Sequence, residues 1–381
     1  PSDNLGSILA LCDHLSQKRL SKGYEPFSMR EVLEFMIMAH EIQGVLAIEN
    51  SFNRVGLDHV LLVRVASTAI SAKIMGGSKD QILSAISHSW VDGSSLRTYR
   101  HAPNAGSRKS WAAGDATSRG VRLADIALRG EMGVPGVLTA PQWGFYDVSY
   151  NKTNKDQKLK EKSDQIFKFN RTYSSYVMEH ILFKIQYPAE FHAQTAVEAA
   201  IKLHESVASK LEIIDKIVIR TQEPAIRIIS KVGKLANAAD RDHCIQYMVA
   251  VGLIFGDLIA EYYEDDFHQE NQLIDKLRDK MIIEEDNQFS MDYLDPEKRS
   301  IANAVQVFFN DGTCSDDIQI EYPIGHKKRR EEGIPLLEEK FWNNLNTCFD
   351  KDKSKLIYDL CLDQEKLEKT KVHEFMELFV K

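Results

Sequence analysis

The spacing of apolar residues changes along this chain, and that change restricts the fold more than any other feature. In the first third, apolar positions recur at helical intervals, as in Leu5, Ile8, Leu9, Leu11, Cys12 and Leu15. Ser28-Met29-Arg30-Glu31 has the form of a capping box opening a helix through Val32, Leu33, Phe35, Met36 and Ile37. A small-residue helix through Ala66, Ala69 and Ala72 ends at Gly76-Gly77, and Ser78-Lys79-Asp80-Gln81 opens the next. From about residue 173 the texture is different. Residues 216–220 alternate as a strand, and residues 304–309, the turn Asn310-Asp311-Gly312 and residues 318–322 read as a hairpin. Helices are predicted over 195–207, 225–229, 240–255 (buried) and 273–281 (charged surface), and again from 336 to the end. The expected class is therefore α+β: a mainly α-helical domain with an inserted smaller α+β lid domain. The expected boundaries are 1–170 for the helical domain, 171–330 for the lid, and 331–381 for C-terminal helices returning to the first.

With 381 residues the chain exceeds what one hydrophobic core ordinarily serves. Its formal charge of −8 argues against broad nucleic-acid binding, which needs a net basic face. The cysteines at 12, 244, 314, 348 and 361 are scattered, with no Cys-x-x-Cys pair. That pattern fits a reducing cytoplasm and argues against a zinc site or a cysteine-held iron–sulfur cluster. No run of about 18 apolar residues reads as a membrane span, so no membrane partner is expected. The sequence opens on Pro1 rather than Met, and the expectation is a start inside a longer gene product.

The functional signal is a basic loop in this acidic chain. Arg97, Arg100, His101, Arg108 and Lys109 fall among Gly, Asn, Ser and Pro, with no carboxylate before Asp115. Cations without nearby counter-ions repel one another, so a small polyanion with several carboxylates is the expected guest. A helix start with Ser110 as N-cap would aim free N–H groups at the same anion. A solvated basic loop is the alternative reading. The helix over 112–128 is rich in Ala and Gly, which permits close approach between helices. The mixed-charge stretch 151–168 reads as a solvated loop. Motifs for zinc hydrolysis, serine hydrolysis and phosphate binding are missing from the sequence, and no redox cofactor motif is present. The remaining tools are Lys, Arg, His and Tyr around an anion, a set suited to removing a proton beside a carboxylate. His59 is a candidate general base or a helix-cap histidine. Tyr247 brings a hydroxyl to a pocket or packs. Lys184, between Phe183 and Ile185, is an anion ligand or an edge-strand lysine. His40 reads as a packing histidine, and His326-Lys327-Lys328-Arg329-Arg330 as a solvated segment.

Several motifs occur in order: Asn53-Arg54-Val55-Gly56-Leu57-Asp58-His59, Ser95-Leu96-Arg97-Thr98-Tyr99-Arg100-His101-Ala102-Pro103-Asn104, Arg108-Lys109-Ser110-Trp111-Ala112-Ala113-Gly114-Asp115-Ala116, Trp143-Gly144-Phe145-Tyr146-Asp147, Tyr187-Pro188-Ala189-Glu190-Phe191-His192 and Tyr322-Pro323-Ile324-Gly325-His326. Together they resemble the MmgE/PrpD family nearly end to end. The resemblance implies a helical domain with an inserted α+β lid, an active site in the cleft, and a cytoplasmic homodimer. It further implies loss of water from 2-methylcitrate to give 2-methyl-cis-aconitate in propionate breakdown, with no cofactor and no metal. By the same resemblance His59, Lys109 and Tyr247 are the catalytic candidates and Lys184 is the lid lysine; Ser2 and the basic-loop residues Arg97, Arg100, His101 and Arg108 are assigned, with Lys184, to binding the tricarboxylate substrate. Decarboxylation of cis-aconitate, epimerisation within the same family, and tricarboxylate binding without turnover remain the alternatives.

Overall fold

The computed structural model describes residues 1–92, 95–101, 103–150 and 166–381, which fall into two compact units. The first comprises Pro1–Thr98, Ser110–Glu179 and Trp342–Lys381; the second comprises Tyr99–Lys109 and His180–Phe341.

The first unit begins with α1 (Leu5–Leu20), α2 (Met29–Glu49), α3 (Val60–Ile74) and α4 (Lys79–Val91). Both expected capping boxes form: Ser28 exchanges bonds with Glu31, and Ser78 with Gln81. Helix α3 is buried along nearly its whole length, which its run of Val, Leu, Ala and Ser permits, and Gly76 (φ +84°) follows its end in the left-handed region. Helix α5 (Arg108–Leu128) starts three residues earlier than the Ser110 cap requires, with Lys109 N–H already bonded to the Gly106 carbonyl at 3.1 Å. From Gly120 onward the small residues do what their size allows. A Cβ on Gly120 would lie 2.8 Å from Ser67 Cβ and 3.0 Å from the Thr68 backbone nitrogen, so α5 meets α3 in near backbone contact. Short helix α6 (Tyr176–Glu179) is held by buried Glu41, which accepts the Val177 N–H at 2.5 Å. His40 is buried and its Nδ1 pairs with the Met36 carbonyl at 2.7 Å, as a packing histidine does.

An aromatic cluster of Phe52, Trp90, Phe145, Tyr146, Tyr150 and Phe167 closes one part of this unit. Residues 151–165 of the expected solvated loop lie outside the described residues. Phe167, at its end, is buried, because an apolar ring next to five others gains more from packing than from water.

The second unit is a sheet covered by helices α7 (Gln194–Val207), α8 (Glu223–Ile229), α9 (Ala238–Arg241), α10 (Ile245–Phe255), α11 (Asp265–Glu270), α12 (Leu273–Arg278) and α13 (Asn287–Leu294). Its strands are β1 (Ile214–Thr221), β2 (Met281–Glu285), β3 (Asn303–Phe309) and β4 (Ile318–Ile320), in the order β2-β1-β3-β4. The expected pairing of β3 with β4 is antiparallel, and β1 lies antiparallel to β3. Strand β2 corrects the sequence reading. The helix placed over 273–281 stops at Arg278, and Met281 opens a strand parallel to β1. Ile214, Ile217 and Ile219 of β1 pack with Val305 and Val307 of β3 on the apolar faces of α7 and α10.

Two further readings are corrected here. Lys184 lies in no strand, among residues without regular structure. The 326–330 run is not a solvated segment. His326 is buried, Arg329 pairs with Glu198 and Glu332, Arg330 donates to the Ile181 carbonyl and lies over the Phe183 ring, and Lys328 donates to Tyr322 Oη. Burial pushes the His326 imidazole down to about 4, with Lys328 and Lys327 acting in the same direction. Helix α14 (Arg330–Asn346) follows, and the chain returns to the first unit in α15 (Lys351–Leu362), α16 (Gln364–Lys369) and α17 (Val372–Glu377). Val372 is fully buried with Ile8, Phe27 and Val32.

Replacing Gly120 by Val is expected to destabilise the protein by about 1–3 kcal/mol through overpacking at α3, read as a lower denaturation midpoint. An unchanged midpoint would mean that α3 and α5 do not approach as described.

Candidate active site

In the first unit, Asp58 is the organising group. It has no exposed surface, and its Oδ1 accepts the N–H of Val60, the first residue of α3, at 3.1 Å. The same oxygen lies 3.3 Å from His59 Nδ1, and Oδ2 lies 3.5 Å from Arg97 Nη1. Backbone bonds fix the arrangement: Asp58 N–H to the Ser95 carbonyl at 2.7 Å and Arg97 N–H to the Gly56 carbonyl at 3.0 Å. His59 is the N-cap residue of α3, yet its side chain is 48% exposed, with Nδ1 turned towards Asp58. A buried carboxylate beside an imidazole favours the proton on Nδ1 and leaves Nε2 as the basic nitrogen. The sequence thus brings His59 and Arg97 to one carboxylate, which the reading of individual motifs did not single out. Ser2 is exposed in a short 3₁₀ turn (Ser2–Asn4).

In the second unit, Lys109 is drawn into a charged cluster. Its Nζ lies 2.5 and 2.6 Å from the two carboxylate oxygens of Asp242 and 2.8 Å from His243 Nδ1, which is itself 2.9 Å from Asp242 Oδ1. The buried helix expected over 240–255 breaks to allow this: α9 ends at Arg241, α10 begins at Ile245, and Asp242, His243 and Cys244 lie between them. Burial lowers the Lys109 ammonium from its ordinary value and Asp242 works against it, while Arg100 and Lys231 lower it further. Burial pushes the Asp242 carboxyl up, but its bond and attraction to His243, together with Lys109, bring it below the usual range.

Glu190 and His192, from the Tyr187–His192 motif, stand in the same unit. Burial pushes Glu190 up, yet His192, bonded to it at 2.9 Å, and the nearby His243 hold it at about 2. His192 Nε2 reaches Tyr293 Oη at 3.2 Å. Arg100 and Arg108 flank the ring of Tyr99, at 5.0 and 5.4 Å from its centroid, and His101 is partly buried at the end of this segment. Lys184 is exposed, with its Nζ 5.2 Å from the Phe191 ring centroid. Tyr247 is completely buried. Its hydroxyl donates to the Tyr262 carbonyl at 2.6 Å, its ring stacks on Tyr263, and burial pushes the phenol up.

The sequence reading did not single out Asp58, Asp242, His243 or Glu190 as site residues. The available signals were the Asp-His pairs at 58–59 and 242–243 and a Glu two residues before His192. Among the described residues no group of His, Cys, Asp and Glu is placed to hold a metal ion.

Asp58→Asn is expected to keep the bond to Val60 while removing the charge opposite His59 and Arg97, and Asp58→Ala to remove both. Stability should fall in the order parent, Asn, Ala, with the second step about 0.5–2 kcal/mol. Equal stability of the two variants would show that the bond to Val60 contributes nothing.

Comparison with known proteins follows the same lines. The family models for the MmgE/PrpD N-terminal and C-terminal domains match residues 1–158 and 187–364. The chain is 56% identical over 383 residues to the 2-methylcitrate dehydratase of Escherichia coli (strain K12), covering 100% of this chain and 77% of that protein. It is 56% identical over 382 residues to the enzyme of the same name from Cupriavidus necator, covering 100% and 76%. The mitochondrial 2-methylcitrate dehydratase of Yarrowia lipolytica is 53% identical over 387 residues, covering 100% and 71%. With both domains matched and this identity sustained along its whole length, the chain belongs to the MmgE/PrpD family.

Proposed function

We propose that this protein is a hydro-lyase that removes water from 2-methylcitrate to give 2-methyl-cis-aconitate. The observation that carries the reading is the identity of more than half, over the entire chain, to bacterial and fungal proteins named for that reaction. The chemistry of the residues supports it. Dehydration needs a base for the proton beside a carboxylate, cations for the charge that develops there, and an acid for the departing hydroxyl.

His59, with Nδ1 against Asp58 and much of its ring exposed, suits the base. Lys109 suits the acid: its ammonium is partly desolvated, so it gives up a proton more readily than a lysine in water. Arg97, Arg100, His101, Arg108 and Lys184 are assigned to the substrate carboxylates, Ser2 to a polar contact, and Tyr247 to proton transfer after release of its hydroxyl from the Tyr262 carbonyl. The reaction draws on no cofactor in this scheme. A homodimer in the cytoplasm completes the proposal, and light scattering on the purified protein reads its assembly.

Incubation with 2-methylcitrate is expected to raise the ultraviolet absorbance of a conjugated product, without release of CO2. Absence of the signal from the full-length protein would refute the assignment, and CO2 release from cis-aconitate would move it to decarboxylation. Lys109→Met is expected to lower kcat by about 10²–10⁴-fold. Because the acid form is the active one, the parent should lose activity as pH rises through a value below the ordinary lysine range. Tyr247→Phe, which removes one hydroxyl, is expected to lower kcat by about 10²-fold with folding retained. Full turnover in a less stable Phe variant would assign Tyr247 to packing.

A further inference from the structure

A lysine that donates a proton once per turnover must be reloaded, and the atoms beside Lys109 are arranged for that. His243 Nδ1 stands 2.8 Å from Lys109 Nζ and 2.9 Å from Asp242 Oδ1, while Asp242 also reaches Lys109 with both oxygens. One nitrogen cannot serve both neighbours in the same way. Facing the Lys109 ammonium, Nδ1 must accept; facing the Asp242 carboxylate, it must carry a proton and donate. The triangle therefore has two proton arrangements with the same heavy-atom positions. In one, Lys109 is an ammonium and the imidazole proton sits on Nε2. In the other, Lys109 is a neutral amine and the ring is an imidazolium with protons on both nitrogens, Nδ1–H donating to Asp242 or to the amine. Asp242 lies opposite the positive charge in both.

We propose that His243 is the proton-relay partner of Lys109, acting through it rather than on substrate, and that Asp242 is the positioning residue that holds the two together. The inference rests on the reading that Lys109 is the acid. When the C–O bond of the substrate breaks, its electron pair goes to oxygen. Lys109 protonates that oxygen, water leaves, and Lys109 remains as an amine. His243, whose Nε2 already carries a proton, takes a proton from solvent at Nδ1 and becomes an imidazolium whose Nδ1–H faces the amine. Transfer of that proton restores the ammonium and the neutral imidazole. The charged neighbours are consistent with this traffic: Arg100 and Lys231 act on the lysine and favour its loss of a proton. Lys231 is itself tied to Asp240 at 3.2 Å, so it adds field without competing for Asp242.

The decisive measurement uses the unliganded protein, with nitrogen-15 shifts of the His243 ring at neutral pH. In the parent, Nδ1 should be unprotonated and Nε2 protonated. In Lys109→Met, which leaves Asp242 as the neighbour of Nδ1, the proton should move to Nδ1. The same tautomer in both proteins would overturn the proposal, and this readout does not depend on turnover. In the assay, His243→Ala should lower kcat by about 10²-fold at little change in KM, and added imidazole should restore part of it. His243→Asn, which preserves more of the packing, should show the same loss. Asp242→Asn should move the alkaline limb of the pH profile to lower pH, because the ammonium loses its counter-ion. Loss of activity that imidazole does not repair, with an unmoved limb in Asp242→Asn, would overturn the relay. A fully active Lys109→Met would instead refute the acid role of Lys109 and leave the tautomer experiment to judge the pairing.

Discussion

Burying a lysine sets the terms for the second unit. An ammonium removed from water is costly unless a carboxylate and further hydrogen bonds replace the lost hydration. Lys109 obtains that replacement from Asp242, and the backbone yields to supply it: a helix that would otherwise run from α9 into α10 is interrupted at Asp242 and His243. The break lets two neighbouring side chains, which on a continuous helix would diverge by about 100°, converge on one nitrogen. The residual partial exposure of Asp242 keeps the pair in contact with solvent protons, which suits chemistry better than stability.

Asp58 solves a parallel problem in the first unit. Here a wholly buried carboxylate is compensated by a helix N–H, an imidazole and a guanidinium. In both units an acidic residue governs where a basic one points, although the sequence advertises the bases. The basic loop draws the eye because its counter-ions are remote: Asp242 lies 133 residues beyond Lys109.

That distance explains what could be read in advance. Capping boxes at Ser28 and Ser78, the stop at Gly76 and the small-residue face of α5 are local devices, with cause and effect within a turn or two of chain. They were legible, as was the β3–β4 pair around its Asp-Gly turn. Strand β2 was not, because Met281–Glu285 is short, lies at the sheet edge and exposes charge, so its pairing with β1 comes from tertiary contact rather than alternation. The interruption at Asp242 was hidden because Asp, His and Cys are tolerable in a helix and the partner Lys109 lies far away in the sequence. The 326–330 run failed similarly: its partners Glu198, Ile181 and Tyr322 are invisible to a count of neighbouring charges. Of the candidate site, the basic residues stand out in the sequence, whereas the acids beside them, Asp58 and Asp242, become visible as their partners only in the fold.

The return of α15, α16 and α17 to the first unit bears on biosynthesis. Val372 completes the core around Ile8, Phe27 and Val32, and its N–H bonds to the Phe27 carbonyl at 2.9 Å, while the Met29 N–H bonds to the Thr370 carbonyl. At ribosomal elongation rates, the residues that seal this core emerge on the order of tens of seconds after those they cover. During that interval the nascent helices leave a greasy seam exposed, a natural stretch for chaperones to shield until α17 arrives.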